Sequence, residues 1–350
     1  MSTSVKKMPY VRLGNSGLKI SKIILGCMSY GSSGWLSWVL PEEEGIKQIK
    51  AAYDAGINAF DTANVYSNGL SEIILGKAIK QHNLPRDEIV VMTKVFFEVK
   101  RDFGDELTMG TDPDTIGYVN QHGLSRKHIF DSVKHSLERL QLDHIDLLQC
   151  HRFDKDTPIE ETMQALHDVV KAGRVRYIGM SACWAHQFHA MQTYAIQNNL
   201  TPFISMQNHY SLAYREEERE MMPTLKHYGV GSIPYSPLAK GVLTRPWAQQ
   251  TTGTKRGEED FRVTSYNQVK ASTEAIVNRV EEIAKKKGCS MAQLSLAWLM
   301  ARPGVSAPIV GTTSMEKLHD LIGAVEIKLS EEEIKYLEEP YITQAVIGHV

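Results

Sequence analysis

Short apolar runs alternate with amphipathic stretches along most of this chain. The runs are Ile23–Leu25 ending at Gly26, Asn58–Phe60 ending at Asp61, Ile89–Thr93 ending at Lys94 and Ile145–Leu148 with Gln149–Cys150 ending at His151. They continue with Val175–Met180 ending at Ser181, Phe203–Met206 ending at Gln207, Val230–Pro234 ending at Tyr235 and Val305–Val310 ending at Gly311. Short, β-branched apolar runs of this kind are what strands buried on both faces look like. Between them the spacing predicts helices over 41–54, 71–81, 125–140, 158–171, 186–198, 216–228, 290–301 and 314–324. Their ends carry ordinary signals: Glu42–Glu44 in the first turn of one, Ser125 as the cap of another, Ala172-Gly173 as a stop.

Eight strands alternating with helices in 350 residues predict a closed (β/α)8 TIM barrel of the α/β class. An open doubly wound sheet is the alternative, but the first strand leads into Gly26-Cys27-Met28-Ser29-Tyr30-Gly31, which does not match the Gly-x-Gly-x-x-Gly turn of such folds. Three segments fall outside the repeat. Tyr10–Leu13, Gly14–Gly17 and Leu18–Ile20 read as a β-hairpin ahead of the barrel. Residues 95–123 and 244–270 read as long loops after the third and seventh strands, on the face where barrel enzymes carry their sites. Ser330–Glu333 has the capping-box pattern of a last helix, 330–339. The whole of 1–350 thus reads as one domain: tail and hairpin over 1–22, barrel over 23–325, and a C-terminal helix and tail over 326–350.

Composition narrows the partners. Hydrophobic residues make up 42% and charged residues 23%, an ordinary globular balance, and the formal net charge of −2 gives no electrostatic reason to expect nucleic acid. No stretch approaches the roughly 18 consecutive apolar residues of a membrane span, and Met1–Lys7 lacks the apolar core of a signal peptide. The four cysteines form no Cys-x-x-Cys pair, so free thiols in a reducing, cytoplasmic setting are expected. His186 and His189 lie three apart on a helix without a third ligand, and no metal is expected.

The strand ends carry the chemistry. Asp61 ends the second barrel strand with Tyr66 five residues on, Lys94 ends the third and His151 ends the fourth. In a barrel these ends converge on one mouth. Hydride addition to a carbonyl builds negative charge on oxygen, which then needs a proton. A tyrosine, whose pKa is ordinarily about 10, is a weak acid, and a neighbouring ammonium favours its phenolate. A buried lysine needs a counter-charge, which the aspartate supplies, and the imidazole can orient the substrate oxygen. Singly, each of these residues reads as a cap, a surface phenol, a strand-end charge or a structural histidine; together, in barrel order, they read as a site.

The stretches Gly56-Ile57-Asn58-Ala59-Phe60-Asp61-Thr62-Ala63-Asn64-Val65-Tyr66, Leu147–His151 and Tyr235-Ser236-Pro237-Leu238-Ala239-Lys240-Gly241 resemble the aldo-keto reductase superfamily, in its potassium-channel-β and fungal reductase-like branch, over nearly the whole barrel. The resemblance implies an NADP-dependent reductase of an aldehyde or ketone, with Asp61, Tyr66, Lys94 and His151 as its tetrad and Tyr66 as general acid. It implies NADP(H) held by Ser181 and Gln207 at the carboxamide, Tyr235 against the nicotinamide, and Ser236, Leu238 and Gly241 in the turn that follows. Gly311, Thr312, Thr313 and Lys317 would meet the 2′-phosphate side, and Asp320 the adenine. Ala182 and Leu321 stand where many members carry asparagine, which implies either weaker carboxamide and adenine binding or Asn208 as a substitute contact. Lys255, Arg256 and Arg262 are further candidates for the phosphate. Trp35 and Trp38 are candidates for the wall of an apolar substrate pocket. Two other readings stay open: a slow or non-catalytic NADP-sensing regulatory subunit on the same barrel, and a barrel hydrolase or isomerase without nicotinamide. Oligomeric state and the particular carbonyl substrate are left open.

Overall fold

The computed structural model describes residues 8–106, 110–250, 266 and 268–349. The hairpin pairs β1 (Tyr10–Arg12) with β2 (Lys19–Ser21) antiparallel. Eight parallel strands follow: β3 (Ile24–Gly26), β4 (Ala59–Asp61), β5 (Val90–Val95), β6 (Ile145–Cys150), β7 (Val175–Ser181), β8 (Phe203–Gln207), β9 (Gly231–Ser232) and β10 (Ile309–Val310). They pair in the order β10-β3-β4-β5-β6-β7-β8-β9. A parallel bridge between Ser232 and Val305, with Ser306 N donating to Ser232 O and Ile309 N to Pro234 O, joins the two ends into a ring. The (β/α)8 barrel and its hairpin are therefore as expected, and each strand coincides with part of its apolar run.

Helices α1 (Glu42–Asp54), α2 (Leu70–Gln81), α3 (Arg126–Leu140), α4 (Ile159–Lys171), α5 (Ala185–Gln197) and α6 (Met221–Tyr228) pack outside the ring. They are followed by α7 (Lys270–Lys287), α8 (Met291–Met300), α9 (Met315–Ile322) and α10 (Glu331–Glu338). Two expectations change. The helix expected over 216–228 begins only at Met221, because Glu216 is drawn into contacts with Arg219, Tyr341 and the Gln344 amide. Residues 270–287 add an 18-residue helix to those expected, with Lys285–Lys287 in its last turn. Most of the loop expected after the seventh barrel strand, including Lys255, Arg256 and Arg262, lies outside the described residues.

Alternation along the strands decides what faces inward. Ala59, Val90, Met92 and Leu147 fill the barrel together with Leu13 and Ile20 of the hairpin, which thereby plugs its floor. Val91, Leu148 and Ile178 face the helices instead. Continuing the inward rows upward gives Ala59 then Asp61, Met92 then Lys94, Leu147 then Gln149 and His151. The same alternation that packs the floor thus lifts polar groups to the mouth. Gly179 belongs to the interior as well: a Cβ there would come within 2.2 Å of Ser205 Oγ.

Candidate active site

Asp61, Lys94 and Tyr66 form one hydrogen-bonded chain. Lys94 Nζ donates to Asp61 Oδ2 at 2.6 Å, to Thr62 O at 2.8 Å and to the Tyr66 hydroxyl at 3.2 Å. All three ammonium hydrogens are thereby used, and the lysine side chain is fully buried. The other carboxylate oxygen, Asp61 Oδ1, accepts from Gln149 Nε2 at 2.9 Å and from Gln207 Nε2 at 3.0 Å. His151 lies edge-on to Tyr66, with ring centroids 5.9 Å apart, and its buried Nδ1 has no partner among the described residues.

The electrostatics suit proton donation from a phenol. Burial raises the Tyr66 pKa, Lys94 opposes it, and the phenol stays above its ordinary value. Lys94 acts in the sense expected from sequence, but burial is the larger effect. Burial lowers the Lys94 pKa, yet Asp61 and Tyr66 outweigh it and keep the ammonium charged. Burial, then the charges of Arg152 and Lys94, drive His151 well below its ordinary value, so the imidazole is neutral. At neutral pH the site holds a protonated phenol, a charged ammonium and a neutral imidazole.

The turn that presents Tyr66 is unusual. Ser67, Asn68 and Gly69 have φ of 45°, 51° and 96°, and two side chains hold this strained path. Ser67 Oγ accepts from Ser32 N at 3.1 Å, tying down the first loop. Asn68 donates to Asp102 O and Asp105 O, each at 2.8 Å, tying down the loop after β5. On the first loop Trp35 and Trp38 are buried with Val39, and Trp35 approaches Tyr66 to 6.2 Å between centroids.

With this geometry in view, comparison with known proteins is decisive. Residues 22–342 match the Aldo/keto reductase family. The chain belongs to that family. It is 47% identical over 341 residues to the versiconal hemiacetal acetate reductase of Aspergillus parasiticus, covering 97% of this chain and 98% of the relative. It is 50% identical over 348 residues to a Schizosaccharomyces pombe protein that carries the provisional name aryl-alcohol dehydrogenase, with coverage of 97% and 98%. It is 46% identical over 357 residues to the aldo-keto reductase AFTS1 of Alternaria alternata, with coverage of 99% and 96%. This aldo/keto reductase is thus an oxidoreductase of carbonyl compounds in the broad sense, and its family uses NAD(P)H. Among the described residues, no helix is long and apolar enough to cross a membrane.

The other candidate residues group in two places. Ser181 ends β7 and donates its hydroxyl to Gln207 O at 2.8 Å. Gln207 ends β8 and spends its amide hydrogens on Asp61 Oδ1 and Gln149 Oε1, which leaves its own Oε1 outside those bonds. Tyr235 follows β9 and stacks on His209 at 5.2 Å with planes 13° apart. Beyond it Ser236, Ala239, Lys240 and Gly241 all have positive φ, so Leu238 sits within a tightly wound turn. The second group surrounds the start of α9. Ser314 caps that helix at Lys317 N, the Thr312 hydroxyl bonds the Ser314 backbone, and Gly311, Thr313 and Lys317 are exposed. Asp320 lies in the last turn of α9, one carboxylate oxygen accepting from Ser290 at 2.8 Å.

Asn208 is not placed to substitute for an asparagine at position 182. It is fully buried, its Oδ1 accepts from Ser232 at 2.6 Å and its amide faces Glu217 Oε2 at 3.4 Å. Sequence reasoning also missed Gln149, which bridges Asp61 and Gln207 from the row that ends in His151. The signal was present: Gln149 is a polar residue inside an apolar strand, two positions before the histidine and so on the same face.

Proposed function

We propose that this protein reduces an aldehyde or ketone to the alcohol with NADPH, Tyr66 acting as general acid. The observation that carries the reading is the Asp61–Lys94–Tyr66 chain with the neutral His151 beside it. When bound, NADPH supplies the hydride. Tyr66 holds a proton at its hydroxyl, where a carbonyl oxygen would gain charge. As that proton leaves, the Lys94 ammonium stabilises the phenolate at 3.2 Å, and Asp61 keeps the ammonium in place. His151, being neutral, can share a hydrogen bond with the same oxygen without placing a second cation against Lys94. Trp35 and Phe97 flank these groups and keep water away from the oxygen.

The residues fit such a cofactor. Tyr235 is a flat platform held by stacking, Gln207 keeps an acceptor for an amide, and a capped helix start carries the exposed Lys317. In this reading Ser181, Ser236, Leu238, Gly241, Gly311, Thr312 and Thr313 would line the path between these features, with Asp320 further along α9. Lysine at 317 offers a point charge rather than a planar fork, so among the described residues a preference for NADP over NAD rests on one cation. A cytoplasmic setting agrees with the four free thiols, of which three are buried.

NADPH oxidation measured against a panel of aldehydes, ketones and sugars tests the reading. Turnover of at least one class is expected, and Lys317→Met should weaken NADPH binding more than NADH binding. Loss of both cofactors to the same degree would remove Lys317 from the phosphate site. Absence of NADPH binding in a fluorescence titration would overturn the reading as a whole.

A further inference from the structure

The mouth of the barrel holds polar capacity that proton transfer at Tyr66 does not use. Four rings follow one another around it. Trp35 is 6.2 Å from Tyr66 between centroids, Tyr66 is 5.9 Å from His151, and His151 is 5.1 Å from Phe97. At the end of this arc the Arg152 guanidinium stands 5.7 Å from the Phe97 centroid. Arg152 is half-buried, and its one hydrogen bond runs to its neighbour's carbonyl, His151 O, at 2.7 Å. No carboxylate among the described residues pairs with it. A guanidinium carries five N–H donors and is the side chain suited to a planar oxyanion, so most of its capacity is unspent. At the other end of the arc Trp35 is 2% exposed, and its indole N–H is buried without an acceptor among the described residues. Buried indole N–H groups usually find a partner. Two unspent donors therefore flank the ring faces that surround the Tyr66 hydroxyl.

We propose that this mouth recognises an aromatic carbonyl compound bearing an ionised oxygen group, a carboxylate or an acidic phenolate, with Arg152 as the partner of that group. The inference rests on the carbonyl-reducing reading of Tyr66. The ring arc supplies faces and edges for an aromatic body, and the guanidinium supplies a charge-assisted, two-pronged contact. Arg152 is poorly placed for the cofactor phosphates proposed above. It follows β6, which lies across the ring from β10, whereas Gly311–Lys317 follow β10 itself.

Two probes that differ only in charge test the assignment: 4-carboxybenzaldehyde and methyl 4-formylbenzoate. The protein should prefer the acid in kcat/KM by roughly ten-fold, the usual worth of one charge-assisted hydrogen bond. Arg152→Gln should bring the ratio close to one through KM for the acid, and Arg152→Lys should keep part of it. Arg152 is also near enough to act on Tyr66 electrostatically, so the glutamine variant is expected to slow both probes; the ratio cancels that common loss. Binding of 4-(hydroxymethyl)benzoate and its methyl ester to the protein with NADPH, a pairing that cannot exchange a hydride, followed by calorimetry, gives a readout independent of turnover. An acid-to-ester ratio that is the same in wild type and Arg152→Gln, or equal binding of the two alcohols to wild type, overturns the proposal. Charge-selective binding that Arg152→Gln abolishes, in a protein that turns over neither probe nor any carbonyl of the panel, keeps the anion site and rejects the reductase reading.

Discussion

Lys94 is the residue on which the site's electrostatics turn. A fully buried ammonium survives because Asp61, Thr62 O and Tyr66 take all three of its hydrogens. Breaking a buried pair from one side strands the other charge, at a cost of about 3–5 kcal/mol. Asp61→Asn should lower stability to urea by an amount of that order, and adding Lys94→Met should recover part of it. Strictly additive losses would show that the two are not coupled. The same residues set the pH response. Tyr66 sits above its ordinary value and His151 well below its own. The rate of reduction should therefore stay level from about pH 6 to 9 and fall only above about pH 10, as the phenol ionises. An inflection near pH 6.5 that disappears in His151→Gln would mean that the imidazole titrates as an ordinary one. At this scale the sequence was readable for Asp61, Tyr66, Lys94 and His151, because strand ends in a barrel converge. Gln149 and Arg152 were passed over because their meaning depends on what stands beside them in space.

At the scale of elements, apolar runs marked all eight strands, and serine caps marked four of the ten described helix starts. Ser125, Ser290, Ser314 and Ser330 each accept a bond from the third backbone N–H of the helix they precede. Tertiary contacts prevailed elsewhere. Glu216–Glu218 makes only a 3-10 turn ahead of α6, with Glu216 committed to Arg219, Tyr341 and Gln344. The ring column under the proposed nicotinamide platform was also invisible in sequence. Tyr214, His209 and Tyr235 stack with centroids 4.1 and 5.2 Å apart, and His209 Nε2 meets the Tyr266 hydroxyl at 2.5 Å. Burial, then the charges of Lys240, His349 and Arg152, depress the His209 pKa to about 3. Well above about pH 6.5 neither folded nor unfolded His209 is charged, and stability is unaffected. As pH falls from there toward 3, the unfolded chain takes a proton that the folded one refuses, and stability declines. His209→Phe keeps a ring in the stack and should flatten that decline, measured as urea midpoints between pH 7 and 4. An unchanged slope would mean that His209 already titrates in the fold.

Across the whole molecule, one alternation does two things. Inward positions low on the strands are apolar and close the barrel against Leu13 and Ile20 of the hairpin; inward positions at the top are Asp61, Lys94, Gln149, His151 and Ser181. The apolar floor keeps water out from below and makes each charge at the mouth count for more. The fold could be read because a barrel repeats its signal eight times, while the mouth could be read only in part because loops that shape it carry no period. Comparison with the family agrees on the carbonyl chemistry. The finer proposal is the proton's route through Tyr66. Turnover by Tyr66→Phe, alongside NADPH affinity from fluorescence titration, tests that route most directly. Affinity should stay within about two-fold, while turnover of the best carbonyl falls by roughly 10²-fold or more, as expected for a lost general acid. Turnover near that of the wild type, with the cofactor bound, would contradict it.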